Sequence, residues 1–197
     1  MPPLKFITFI LLLTAVSFRA FPQDTDKKNW DAVNPLQWAD FKGPVDETSK
    51  HAATTFSGMN YTWHRQVTMG HTEFTFTTTA FMNTSKSWIK PGKETAPLLA
   101  HEQLHFDISE FFARKLLETL NNYHYSLDYK FELDRLYKDM EAARKAMEEK
   151  YDEQANHGLK KIQQALWELY VTQLLSKDYS YEDALKLQPA DSNYVIE

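Results

Sequence analysis

The sequence predicts an α+β protein in which a small N-terminal antiparallel sheet packs on a C-terminal bundle of three long helices. Two observations carry that expectation. Between residues 51 and 89, apolar and polar residues alternate with a period of two, in a stretch rich in threonine and aromatics. Beyond Lys90-Pro91-Gly92 the apolar spacing changes to three and four residues, and it holds to about Ser176. Composition agrees: 43% hydrophobic and 25% charged residues are the balance of a soluble globular chain, which excludes a largely disordered chain and a multi-pass membrane protein.

The N-terminus reads as an address. Lys5 precedes an apolar run from Phe6 to Val16, with no charge until Arg19. A run of this length is too short to span a bilayer but fits the core of a signal peptide. Ala15-Val16-Ser17 offers a small-x-small cleavage pattern, and a cut after Ala20 is the alternative. Residues 1–20 are therefore expected to be a signal peptide, residues 21–176 one domain, and residues 177–197 a loosely attached tail. The expected protein is exported, periplasmic or secreted. It has no second apolar segment long enough to hold it in a membrane after cleavage.

Removing residues 1–20 takes away Lys5 and Arg19 and no acids, leaving 20 basic and 27 acidic residues, a net charge of −7. With no basic surplus to neutralise phosphates, nucleic acid is not an expected partner. The absence of cysteine excludes disulfides, thiolate metal sites and a cysteine nucleophile. Seven histidines, with carboxylates beside them, remain as metal ligands.

Within residues 22–50, Trp38 and Phe41 are expected to plug an edge of the core, and Gly43-Pro44 to turn the chain. Thr54 to Trp63 forms one strand, Gly70 breaks the chain, and Phe74, Phe76, Thr78 and Ala80 alternate with Thr75, Thr77, Thr79 and Phe81 in the next. Thr95 can cap the first helix, with Pro97 in its first turn. Its apolar positions run from Leu98 to Leu120, and Asn121-Asn122 ends it. A second helix is predicted from Tyr129 to Ala155, with a stripe through Leu133, Leu136, Met140, Ala143, Met147 and Tyr151. Asn156-His157-Gly158 interrupts it. A third helix follows, with Leu159, Ile162, Leu166, Leu169 and Tyr170 as its apolar positions.

His101-Glu102-Gln103-Leu104-His105 is an H-E-x-x-H sequence inside the first helix. Residues i and i+4 stack on one face, so both imidazoles can point at one ion. Glu102 lies one step round the helix, where it can reach a zinc-activated water without being a ligand and act as its general base. At the chain's histidine and glutamate frequencies, about 0.02 such matches arise by chance. A working site needs a third protein ligand. Asp107 and Glu110 are carried to the far side of the same helix by its pitch, so the ligand must come from another element. His51, His64, His71 and His124 are available, but the break after the second helix is the best source. There His157 is the first choice and Asp152 the second, and Gly158 permits close backbone approach. If His157 ligates, Asp152 can orient a ligand histidine. Tyr151 is a candidate hydrogen-bond donor to a developing oxyanion, although its place in the apolar stripe favours a core role.

Four segments resemble a bacterial family known as domain of unknown function 922, grouped with zincin-like metallopeptidases. They are Leu36-Gln37-Trp38-Ala39-Asp40-Phe41-Lys42-Gly43, the β segment ending at Ser87-Trp88, Leu99 to Asp107, and Tyr151-Asp152 followed by His157-Gly158. The resemblance covers roughly residues 34–175. It implies a zincin-like active-site helix, favours His157 over Asp152 as third ligand, and gives Asp107 a structural role. It departs at Ala155, where the family often has threonine. It supplies no substrate.

The expected function is thus a zinc-dependent metallohydrolase, most simply a peptidase, with His101, His105 and His157 as ligands and Glu102 as base. By analogy with zincin-like enzymes, the stretch from Glu73 to Phe81 is the expected strand for pairing with an extended peptide. The alternatives are an exported zinc-binding protein that does no chemistry, and a metal-free interaction module built on the charged helix from Tyr129 to Ala155.

Overall fold

The structure is a computed structural model that describes residues 26–176, 183 and 186–189. The expected signal peptide, residues 1–20, lies outside the described residues, as does most of the expected tail. Among the described residues no helix is long and apolar enough to cross a membrane.

The architecture is the expected α+β arrangement. Strands β3 (Ser57–Thr68) and β4 (His71–Asn83) form a long antiparallel hairpin, with register from Ser57↔Met82 to Thr68↔His71. Its turn is Met69-Gly70, both at positive φ (50° and 80°), as a primed two-residue hairpin turn needs. A short strand β1 (Lys27–Asn29) pairs with the end of β4, giving the order β1-β4-β3. Strands β2 (Ala53–Thr54) and β5 (Trp88–Ile89) make a separate two-stranded ribbon.

Three helices follow: α1 (Ala96–Asn122), α2 (Tyr129–Ala155) and α3 (Lys161–Ser176). The Thr95 hydroxyl accepts from the Leu98 amide at 3.4 Å and starts α1. Helix α1 is the hub, packing on the hairpin, α2 and α3. Its Leu104, Ile108, Phe111, Phe112, Leu116 and Leu120 are buried, as are Met59, Phe76, Ala80 and Met82 of the sheet face. The period-two pattern of β4 is thus resolved: Phe76, Ala80 and Met82 face the core, and Thr75 and Thr77 face solvent.

The N-terminal segment is clamped to α1. Trp30 Nε1 donates to Asp107 Oδ1 at 2.7 Å, Gln103 Nε2 donates to the same oxygen at 2.8 Å, and Gln103 Oε1 accepts from the Leu36 amide at 2.7 Å. Trp38 and Phe41 pack ring on ring at 5.0 Å, with Phe41 buried.

One face was misread from the sequence. On and just before α3, Leu159, Ile162, Leu166 and Leu169 are 75%, 59%, 42% and 57% exposed. The buried face carries Gln163, Gln164, Trp167, Tyr170, Val171 and Leu174. Both faces of α3 are apolar enough to pack, so periodicity alone does not choose between them. Trp167 decides: it is fully buried, and its Nε1 donates to Gln154 Oε1 at 2.8 Å.

Candidate metal centre

Helix α1 presents His101 and Glu102, both under 5% exposed, and His105 one turn on. Helix α2 brings Tyr151 and Asp152, and the break after it brings His157. That break is built from three successive left-handed residues: Asn156 (φ 47°), His157 (φ 50°) and Gly158 (φ 77°). For the two non-glycine residues this conformation costs of order 1–2 kcal/mol each. Backbone bonds hold them: the His157 amide donates to Asp152 O at 3.1 Å, and Lys160 N to Ala155 O at 2.9 Å. Gly158 passes so close to His101 that a Cβ there would meet its Cβ and Cγ at 3.3 Å. The close approach foreseen for this glycine is therefore toward His101, the first histidine of the H-E-x-x-H motif.

Three imidazoles converge on one carboxylate oxygen. Asp152 Oδ1 lies 3.2 Å from His101 Nε2, 3.1 Å from His105 Nε2 and 3.3 Å from His157 Nδ1. Two ligand atoms on a tetrahedral zinc with bonds near 2.05 Å stand about 3.4 Å apart. Asp152 Oδ1 is spaced from all three nitrogens much as one ligand atom is from another on a shared ion. His101, Asp152 and His157 also offer ligand atoms that all lie within 4.8 Å of one another. The two residues weighed as alternatives for the third ligand thus both reach the centre.

The rear of His101 is tied down. Its Nδ1 lies 2.6 Å from the Tyr151 hydroxyl and 3.1 Å from Gln164 Oε1, and the Tyr151 hydroxyl donates to Gln164 Oε1 at 2.7 Å. Gln164 Nε2 donates to Glu168 Oε1 at 2.9 Å, which fixes the amide so that Oε1 faces the pair. With its proton committed to Gln164, the Tyr151 oxygen can accept from His101 Nδ1–H, and His101 Nε2, 3.2 Å from Asp152 Oδ1, faces the centre. The fully buried ring bears out the core role that its place in the stripe favoured, and its hydroxyl is spent on His101 and Gln164 rather than left free for an oxyanion. Tyr151→Phe is expected to weaken zinc binding roughly 10- to 100-fold with little change in secondary structure, measured by competition against a chromophoric chelator.

Glu102 Oε2 accepts from the Thr55 hydroxyl at 2.6 Å, which orients the carboxylate beside the histidines. The electrostatics are those of a site short of positive charge. Burial alone would lower the His105 pKa, but the Asp152 hydrogen bond and charge, with Glu148 and Glu102 behind it, lift it to about 9. Burial pushes the Asp152 carboxyl up, yet its bonds to His101 and His105 hold it well below the usual carboxylate range.

These groups floor an open cleft of about 1300 Å³. One wall is the segment 50–55, which includes β2; no residue of β4 lines the cleft. The strand beside the site is therefore not Glu73–Phe81, whose register is taken by β3. His51 lies at the rim, its ring 4.3 Å from that of His157. His64, His71 and His124 are exposed and do not line the cleft. Asp107 and Glu110 point away, as the helix pitch requires, Asp107 to Trp30 and Glu110 to Arg114 at 2.8 Å.

Three contributors had no sequence signal: Thr55 behind Glu102, Gln164 behind His101, and the pair Arg144–Glu148. Glu148 lines the cleft one turn before Asp152, and its Oε1 is 2.6 Å from Arg144 Nη1. Comparison of the chain with protein-family models, with curated proteins and with solved structures gave no match.

Proposed function

We propose that the protein is a zinc-dependent hydrolase, most simply a peptidase, with His101, His105 and His157 as ligands and Glu102 as general base. The observation that supports the reading is that three imidazole nitrogens surround Asp152 Oδ1 on an open cleft floor, with His101, Asp152 and His157 close enough to share an ion and a buried, oriented glutamate beside them. The donor set suits the ion: neutral imidazoles and a carboxylate fit a borderline divalent metal. When bound, zinc supplies an acidified water and a Lewis acid for a carbonyl oxygen. The chain's own groups do the rest. Glu102 would serve as the base for such a water and pass the proton on to the leaving amine. Thr55 holds Glu102 in place, and Tyr151 with Gln164 holds His101. An extended peptide would run beside segment 50–55. The reading rests on these side chains and not on family membership.

The test is metal content. Protein dialysed against metal-free buffer, then given zinc and desalted, is expected to carry about one zinc per chain by elemental analysis. No metal retained and none taken up on addition would overturn the reading.

One observation favours a second reading, a zinc site that does no chemistry. Asp152 Oδ1 sits where a fourth protein ligand would, and four protein ligands close a site. Cobalt-substituted protein separates the two. An open position gives a visible spectrum that changes on adding acetohydroxamate, and a closed site gives one that does not.

A further inference from the structure

The cleft is lined by two sets of charge at different depths. The less exposed Glu102, Glu148 and Asp152 lie deeper, and the exposed Lys50, Lys93, Lys145 and Lys161 stand at the mouth with one exposed acid, Glu149. The four lysines are exposed and come from four places: the approach to β2, the approach to α1, the middle of α2 and the start of α3. Among the described residues none of them forms an ion pair or a hydrogen bond through Nζ. Elsewhere pairing is mixed: Lys28 is matched to Asp40 at 2.6 Å, Lys115 to Glu118 at 2.6 Å and Lys138 to Asp134 at 2.7 Å, whereas Lys42, Lys130 and Lys160 form no ion pair among the described residues. Glu149 follows Lys145 by one helical turn, yet the two form no ion pair.

In a chain of net charge −5, four unmatched lysines around one opening concentrate positive charge at its mouth, against four acids in the same lining. By count the four acids balance the four lysines. Arg144 offsets part of the charge of Glu148, which shares it with Glu141, and a divalent ion at the centre would tip the lining to net positive. Low-dielectric walls focus such a field on whatever enters.

Resting on the hydrolase reading above, we propose that the cleft selects peptides bearing carboxylates within a few residues of the bond held over the metal centre. The lysines recognise the carboxylates, and the neutral segment 51–55 lies along the intervening backbone. The same chemistry could come from acidic side chains or from a peptide's C-terminal carboxylate.

The experiment uses four fluorescein-labelled decapeptides with one neutral central sequence. Three are C-terminally amidated, with Glu/Asp, Gln/Asn or Lys flanks. The fourth has Gln/Asn flanks and a free carboxylate. Binding to zinc-treated Glu102→Gln protein is read by anisotropy at low and high salt. The acidic-flanked peptide is expected to bind about tenfold tighter than the neutral amide near 20 mM salt, and the gap to close to about threefold near 300 mM. Tight binding of the free-carboxylate peptide instead would assign the lysines to a chain terminus, within the same proposal. Reversing all four lysines (K50E, K93E, K145E and K161E together) should invert the preference. Equal binding of all four peptides, preference for the Lys-flanked one, or no binding would overturn it. Selective binding without cleavage by the parent protein would keep the proposal and sink the hydrolase reading.

Discussion

Glu102→Gln is expected to leave zinc content at about one per chain and to lower kcat by about 10²- to 10⁴-fold with KM little changed. The substitution is nearly isosteric. The Gln carbonyl oxygen can still accept from Thr55, whose hydroxyl now lies 2.6 Å from Glu102 Oε2, so the side chain stays where it is. What is lost is the capacity to take a proton. No protein nitrogen at the centre depends on Glu102 for its orientation: His101 is held by Tyr151 and Gln164, and His105 faces Asp152. The measurement pairs elemental analysis with cleavage of an acidic-flanked peptide by parent and variant. A variant that cleaves as fast as the parent would remove Glu102 from the mechanism.

Arg144→Ala is expected to cost about 3–5 kcal/mol of stability, because it leaves buried charge without its partner. Arg144 is 4% exposed. Its Nη1 lies 2.6 Å from Glu148 Oε1 and its Nη2 3.1 Å from Glu141 Oε2, and Nη1 also donates to the Ser109 hydroxyl at 3.3 Å. Burial already pushes the Glu148 carboxyl up, and Arg144 is the first of the charges opposing that rise. Without the guanidinium, two partly buried carboxylates two helical turns apart are left without the charge they share. Urea unfolding followed by far-UV circular dichroism checks the expectation. Adding Glu148→Gln to Arg144→Ala should recover part of the loss, and a single-variant loss under about 1 kcal/mol would show the network to be solvated.

The elements that periodicity could read were those with one apolar face. Helix α2 runs from Tyr129 to Ala155 as expected, because its other face is almost wholly charged. Helix α3 has two apolar faces, and the choice between them is made by Trp167 and Gln164 finding partners in the interior. The histidine pair and Glu102 were legible because helix pitch alone brings i and i+4 together. His157 and Asp152 were legible as a pair of alternatives, since spacing cannot tell which of two nearby donors bends inward, and the structure brings in both. Thr55 and Gln164 were not legible at all. They are neutral side chains 47 and 63 residues from the groups they hold, and nothing local marks them. The burial of Tyr151 was legible from the stripe, but the partners of its hydroxyl were not: its hydrogen-bond capacity is apparent from its type, while the direction in which it is spent depends on α3.

The placement of the candidate ligands bears on how the domain would stay assembled. His101 and His105 stand on the hub helix, and His157 lies some fifty residues later at the junction of the other two. An ion gripping all three would be a covalent-strength staple between α1 and the α2–α3 corner. Closing a loop of that length removes unfolded-state entropy worth up to about 4 kcal/mol, much as a disulfide does. In a chain without cysteine, such a clasp would do the work that secreted proteins commonly assign to sulfur, and an acid or a chelator would undo it where a reductant could not.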